Sequence, residues 1–445
     1  MSKQPNILFV FADQWRASAT GYAGNPQVRT PNLDRFAAEN FNFTTAVSNC
    51  PVCTPYRATL MTGQYPLTHG AFVNDVPITS DAKCLGECFQ EAGYDTGYIG
   101  KWHIDGHGRD AYIPPERRKG FQYWKVRECT HDYNNSFYYG DSPEKNWWDG
   151  YDAIAQTKDA QNYINDHTDS GDPFFLMLSW GPPHEPYDTA PQEFRELYNK
   201  DDIILRENVP EEKTDQAREQ IAGYYAHCTA LDRCFGELIS TVDEAGIAED
   251  TIVVFTSDHG DMLGSQGERG KQRPWDESIL VPMLMRYPSG LGRGSRQVDV
   301  PFNSPHIMPT LLGLAGLEIP ETVEGYDFAP FLRGERPAPE TGALIELPVP
   351  IAEFSDSPEW RGLRTERYTY AITRAGPWVL YDSHSDPYQL NNLIDNPEYD
   401  EVREELDAEL RYRLKARGDE FKDGLTLIKE AGLPMKEVNG MIQFH

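Results

Sequence analysis

Basic residues are scarce in this chain: 41 lysines and arginines stand against 70 aspartates and glutamates, a formal net charge of −29 over 445 residues. That balance argues against nucleic acid or an anionic membrane surface as a general partner, since both would repel it. Long apolar runs are also missing. No stretch approaches the roughly 18 apolar residues that a bilayer crossing needs. After Met1-Ser2-Lys3-Gln4 the chain enters an apolar run at once, leaving no room for a secretory leader. The expected location is therefore cytoplasmic, or periplasmic or secreted if a leader has been removed. Cysteine is sparse as well. The seven, at 50, 53, 84, 88, 129, 228 and 234, are odd in number and show no zinc-knuckle or disulfide-scaffold spacing. Internal repeats and low-complexity tracts are absent.

What is present suits a large α/β protein. At 445 residues the chain can bury a sizeable core and carry a smaller appendage. Four apolar runs, 6–12, 96–99, 174–180 and 252–257, read as buried parallel strands, beyond whose carboxyl ends ligands gather. Ile221, Tyr224, Cys228, Leu231, Phe235, Leu238 and Val242 recur at helical steps and predict one core-facing helix ending near Gly246. Val402, Leu406, Leu410 and Leu414 mark a second, charged helix. Alternating segments at 363–372 and 378–381 suggest an antiparallel hairpin, so residues 346–445 are expected to form an α+β unit after a catalytic domain at 1–345. The proline-rich stretch 337–350 is the expected connection.

The densest chemistry lies in Cys53-Thr54-Pro55-Tyr56-Arg57, followed by Ala58-Thr59-Leu60-Met61-Thr62-Gly63 and preceded at a distance by Asp13-Gln14. A cysteine with Pro at +2 and Arg at +4 arises by composition in about one such chain in fifty, so context decides. The context is PNILFVFADQ at 5–14, TPNLDRFAAE at 30–39, GKWH at 100–103, PPHEPY at 182–187, TSDHGDMLG at 256–264, GK at 270–271 and LRTERYTY at 363–370. With these segments in this order, the chain resembles the type I sulfatases of the alkaline phosphatase superfamily. The fold this implies is a large, mixed, mainly parallel sheet sandwiched by helices, with a smaller C-terminal α+β domain holding an antiparallel sheet.

The resemblance also implies a chemistry. Cys53 is oxidised after translation to formylglycine by a formylglycine-generating enzyme, and the hydrated aldehyde attacks the sulfur of a sulfate monoester. Arg57 holds the nucleophile and the metal-bound oxygens. Asp13, Gln14, Asp258 and His259, with residue 53, bind a divalent metal; the oxygen-rich set suits Ca²⁺, with Mg²⁺ or Mn²⁺ left open. Lys101 and Lys271 contact the sulfate, His103 acts as base at the formylglycine hydroxyl, and His184 protonates the leaving oxygen. Lys101 and His103 share a face if their stretch is extended. The chain departs from the family at position 14, where a second aspartate is commonest. Taken singly, each of these residues reads as a surface cation or a satisfied histidine; together they read as a site.

Two cationic groups, Glu116-Arg117-Arg118-Lys119 and the set Arg269, Lys271 and Arg273, are candidate sources of charge for an anionic substrate. The segment 104–152 reads as a long irregular insert that builds the substrate pocket. Within it Arg109 and His131 are the first candidates for glycan contacts, and Trp147-Trp148 read as core packing. The leading expectation is hydrolysis of a carbohydrate O-sulfate, with a sulfated glycan or small molecule as substrate. Four rivals stand beside it, one of them a dinuclear zinc phosphatase, which would need Ser or Thr as nucleophile and a second set of Asp and His ligands that the sequence does not place. A phosphonate monoester or phosphodiester hydrolase of the same fold also carries Asp-Gln, although Lys101 favours the sulfatase. A catalytically silent glycan-binding protein follows if Cys53 stays a thiol, and a thiol hydrolase has only the residue types in its support. The oligomeric state is open.

Overall fold

The computed structural model describes residues 4–351, 357–433, 436–438 and 441–443. Residues 1–3, on which the absence of a leader was read, lie outside the described residues. The main sheet has ten strands, ordered 296–298, 41–43, 283–286, 251–257, 6–13, 174–183, 95–101, 123–127, 137–139 and 145–147. Its centre is parallel: Asn6–Asp13 lies between Phe174–Pro183 and Thr251–Ser257, and Asp95–Lys101 and Tyr123–Arg127 extend the block. All four apolar runs expected as strands occur there, each slightly longer than expected.

Burial on both faces explains why those runs lack polar alternation. Along the first strand Ile7, Phe9 and Phe11 enter one core, while Leu8, Val10 and Ala12 enter the other. The second core is covered by Thr214–Glu244, whose apolar stripe is buried as expected, and by Asp152–Ser170. The first is covered in part by Cys53–Thr62 and Ile307–Ala315.

The insert is irregular only in part. Tyr123–Arg127 alternates half-buried and buried positions, and with 137–139 and 145–147 it adds three strands to the main sheet. Trp147 is 56% exposed rather than core, because its strand is the outermost of the sheet and no further strand among the described residues pairs with that edge. Trp148 is half-buried against Tyr138.

Gly342–Leu347, Trp360–Thr365, Tyr368–Thr373 and Gly376–Asp382 form an antiparallel four-stranded meander, larger than the hairpin expected. It begins at Gly342, a few residues ahead of the expected 345/346 division. Leu344, Leu363, Tyr370 and Leu380 pack on Leu410 and Leu414 of the Asp400–Ala416 helix, while Ala343, Ile345 and Leu347 join the main core. The meander also supports the turn beside Lys271. The Gln272 carbonyl accepts from Trp360 Nε1 at 3.0 Å, and its side-chain oxygen accepts from Ile351 N at 2.6 Å. No helix among the described residues is long and apolar enough to cross a membrane.

Candidate active site

Cys53 is the first residue of a ten-residue helix in which every residue is buried, so its thiol stands where unpaired backbone N–H groups gather. Pro55 falls in the first turn and costs no helical hydrogen bond. Arg57 lies one turn on and ties four neighbouring strands together. Its Nε donates to Asp258 Oδ2 at 3.2 Å and its Nη2 to Asp13 Oδ2 at 3.1 Å. Its Nη1 donates to the Lys101 carbonyl at 2.9 Å and Ser179 Oγ at 2.8 Å. The +4 spacing thus places one guanidinium beside the nucleophile and two carboxylates.

Asp13 ends the first strand, and Asp258-His259 follow Ser257 on its neighbour. Asp13, Cys53, Asp258 and His259 are fully buried, and one ligand atom from each lies within 4.8 Å of the others. Cys53 Sγ is 3.3 Å from His259 Nε2 and 3.7 Å from Asp13 Oδ1. Gln14 turns at φ 70° and donates its side-chain nitrogen to Glu185 Oε2 and Asp261 Oδ2, each at 2.7 Å. Those two acceptors assign the amide's orientation. The other end, Oε1, is buried with no hydrogen-bond partner. A buried carbonyl left without a donor is what a cation would satisfy. Two carboxylates, an imidazole, this amide oxygen and residue 53 therefore fit a hard divalent cation.

Cations crowd the nucleophile. Lys101 Nζ pairs with Asp13 Oδ2, while Lys271 Nζ lies 3.0 Å from Cys53 Sγ and 3.1 Å from His259 Nε2. Burial pushes Asp13 up, but Lys101, His184 and Arg57 together hold its carboxyl well below the usual range. Burial and Asp13 raise the Cys53 thiol, yet Lys101, Lys271 and His259 outweigh them and hold it well below the ordinary thiol value. Burial, then the Asp13 charge, raises Asp258.

Lys101 and His103 do not share an extended face. The strand ends at Lys101, and His103 adopts φ 62°. Gly100 precedes them at φ 103°, where a Cβ would stand 2.0 Å from the Ser179 carbonyl oxygen, so only glycine fits. His103 Nε2 bonds Asp75 Oδ1 at 2.9 Å, and its Nδ1 is buried without a partner. Arg109 grips the same Asp75 with two hydrogen bonds, at 3.0 and 2.8 Å. Burial lowers His103, but Cys129, the Asp75 bond and Cys53 carry it up to about 9.

His184 lies in a turn with cis peptides at Pro182-Pro183 and Glu185-Pro186. Its Nδ1 bonds the Glu185 carbonyl at 3.0 Å. The His131 ring stacks on it, with centroids 4.4 Å apart and planes 7° apart. Burial brings both histidines down to about 4, with Lys271 adding to the effect on each.

All ten expected catalytic and metal residues thus converge, and Arg109 and His131 reach the same assembly through Asp75 and His184. Of the two cationic groups, the second contributes Lys271 to it. Arg117 pairs with Asp105 and Arg118 with Asp141, away from the cluster. Sequence reasoning missed five neighbours. Glu185 and Asp261 sit inside the quoted segments PPHEPY and TSDHGDMLG, so a signal existed. Ser179, Asp75 and Cys129 lie in no motif.

A family profile described as Sulfatase matches residues 5–317, and one described as N-sulphoglucosamine sulphohydrolase, C-terminal, matches 264–416. The chain is 45% identical over 94% of its length to an ulvan-active sulfatase of Formosa agariphila, covering 83% of that protein. It is 34% identical to an endo-4-O-sulfatase of Bacteroides thetaiotaomicron, over 94% of this chain and 93% of that one. Among solved structures, yidJ from Bacteroides fragilis superposes with a TM-score of 0.86 at 30% identity, covering 95% of this chain and 98% of its own.

Proposed function

This chain belongs to the sulfatase family of sulfuric ester hydrolases, and on that premise we propose that it removes O-sulfate groups from carbohydrate. The carbohydrate substrate leans on the relatives that act on ulvan and as an endo-4-O-sulfatase. The observation that carries the reading is the convergence of two carboxylates, an imidazole and Lys271 on Cys53, with an orphaned amide oxygen on the residue after Asp13.

Formylglycine at residue 53 would supply a hydrated aldehyde, a nucleophile that no encoded side chain offers, and Asp13, Gln14, Asp258 and His259 would hold a divalent cation that, when bound, would lower the nucleophile's pKa and polarise the ester. Ca²⁺ is the ion we assign, from the oxygen-rich donor set. Arg57 fixes the two carboxylates relative to residue 53. Lys101 and Lys271 bind sulfate oxygens and offset their charge in a site that excludes water. His103, with Nε2 committed to Asp75, holds or takes a proton at Nδ1, the free nitrogen. His184, with Nδ1 committed to the Glu185 carbonyl, presents Nε2 to the leaving oxygen. An arriving sulfate ester brings negative charge that raises its depressed pKa and favours the protonated, acidic form. Arg109 and His131 contact the sugar beyond the ester. Maturation requires a formylglycine-generating enzyme as partner. We retain a two-part chain, with the smaller α+β unit beginning at its first strand.

The test is sulfate release from a panel of sulfated oligosaccharides by protein co-produced with the maturation enzyme, beside 4-nitrophenyl sulfate and a phosphonate monoester. Release from oligosaccharides is the expected outcome. Turnover of the phosphonate alone would transfer the chain to the rival activity, and inertness of fully converted protein on the whole panel would support the glycan-binding reading.

A further inference from the structure

Three residues past Asp13 the chain carries a cation that the site leaves unused. Arg16 is 1% exposed, and among the described residues it forms no ion pair. Its Nε has no hydrogen-bond partner, and its Nη1 reaches only the Asp261 and Met262 carbonyls, both at 3.5 Å. Glu277 and Asp261 act on it through space but are committed elsewhere. Glu277 accepts from Arg206 Nε at 3.0 Å and Asn208 Nδ2 at 2.7 Å, and Asp261 accepts from Gln14 and Tyr187. A guanidinium does not escape burial by losing its proton; Tyr225, Tyr224, Glu277 and Asp261 offset its desolvation through space, while its Nε still lacks a hydrogen-bond partner.

Arg16 lines a cavity of about 310 Å³, and none of the residues lining that cavity is acidic. Arg206 supplies a second guanidinium on the wall, 4.7 Å above the Tyr388 ring. Ser18, also on the wall, has a buried hydroxyl with no partner. The Tyr225 hydroxyl accepts from Asn25 Nδ2 at 2.8 Å, and its own proton meets no acceptor among the described residues. The wall thus gathers unused donors beside a buried guanidinium that is bound only by two long carbonyl contacts. Exposed Gly24, Pro26 and Ile204 at its margin leave a path to solvent.

We propose that this cavity binds a small oxyanion, of sulfate or carboxylate type, at a site separate from the one that cleaves the ester. Arg16 provides a charged donor fork and the Ser18 and Tyr225 hydroxyls add donors, while Tyr224 joins this site to the metal-facing turn by accepting from Arg16 N at 2.9 Å and donating to the Gln14 carbonyl at 2.7 Å.

Crystals of Cys53→Ala protein grown without sulfate and soaked in selenate test this directly. A selenium anomalous peak within hydrogen-bond distance of the Arg16 guanidinium is expected. A second soak with excess acetate separates the sources: persistence of the peak assigns the site to a tetrahedral oxyanion, and its loss to a carboxylate. Water alone in the cavity, with selenate ordered beside Lys271, overturns the proposal. In solution, equilibrium dialysis of labelled sulfate should find two sites per chain in Cys53→Ala protein and one after Arg16→Met is added. Equal numbers in the two proteins also overturn it. The crystal arm needs no change at Arg16, so it decides the matter even where Arg16→Met fails to fold.

Discussion

The two walls of the active site are built from different material. Asp13, Gln14, Asp258 and His259 stand at or just past the ends of two adjacent parallel strands, all fully buried, and Arg57 ties both carboxylates to the nucleophile's helix. Facing them, Asp75, Arg109 and His131 stand on connecting segments, and the Arg109 side chain is 38% exposed. The second wall is held by side-chain links, Arg109 to Asp75 to His103 and His131 against His184, rather than by strand ends. The strand-end wall positions the groups that any sulfate ester requires. The segment wall can change with little cost to the core, and it is there that we propose selection among sugars.

The strongest challenge to this division is removal of the nucleophile. Cys53→Ala should lower sulfate release by at least about 10³-fold on every substrate, because no other group performs its chemistry; initial rates of sulfate release measure it. Next is Gln14→Asp, which installs the residue commonest in the family. Here a third carboxylate would face Glu185 and Asp261 without the amide's two hydrogen bonds. Calorimetric titration with Ca²⁺ should show binding weakened by about 10-fold or more, with part of the loss restored by adding Glu185→Gln. Equal or tighter binding in the single variant would remove the argument from the orphaned amide oxygen.

Asp75→Asn bears on the join between the walls. It should lower kcat about 10-fold or more by loosening His103 and weaken the oligosaccharide further by releasing Arg109. His131→Ala should raise KM for oligosaccharide more than for 4-nitrophenyl sulfate. Equal effects on both substrates would show that this wall serves the reaction and not its selectivity.

The smallest effect lies outside both walls. Burial pushes Glu346 up to about 7, against the attraction of Arg361, from an ordinary value of 4.5. Its charged form is disfavoured in the fold, so the stability it contributes is full below about 4.5 and is lost as pH rises through about 7. Thermal unfolding should therefore occur a few degrees higher at pH 5.5 than at pH 8, and Glu346→Gln should flatten that difference.

How much was legible from the sequence follows the same division. Strand-end residues lie inside contiguous motifs, because a strand, its terminal acid and the following turn are consecutive in the chain. Asp13, Asp258, His259 and Lys101 were therefore readable, as were the four central strands. Asp75 was not. It meets His103 and Arg109 only through folding, across separations of 28 and 34 residues, and no local pattern announces such a meeting. The three added strands escaped because they are short and partly polar, so their alternation is weak. Gln14 was readable as a departure, but the reason for it lay in Glu185 and Asp261, which only the fold brings to its nitrogen.

The account's central claim is that residue 53, once converted, carries the reaction. Preparations with graded formylglycine content, quantified by mass of the peptide containing residue 53, should release sulfate from a sulfated oligosaccharide in proportion to the converted fraction, extrapolating to zero for the unconverted thiol. Release that is independent of conversion, or that persists in Cys53→Ala, would contradict it.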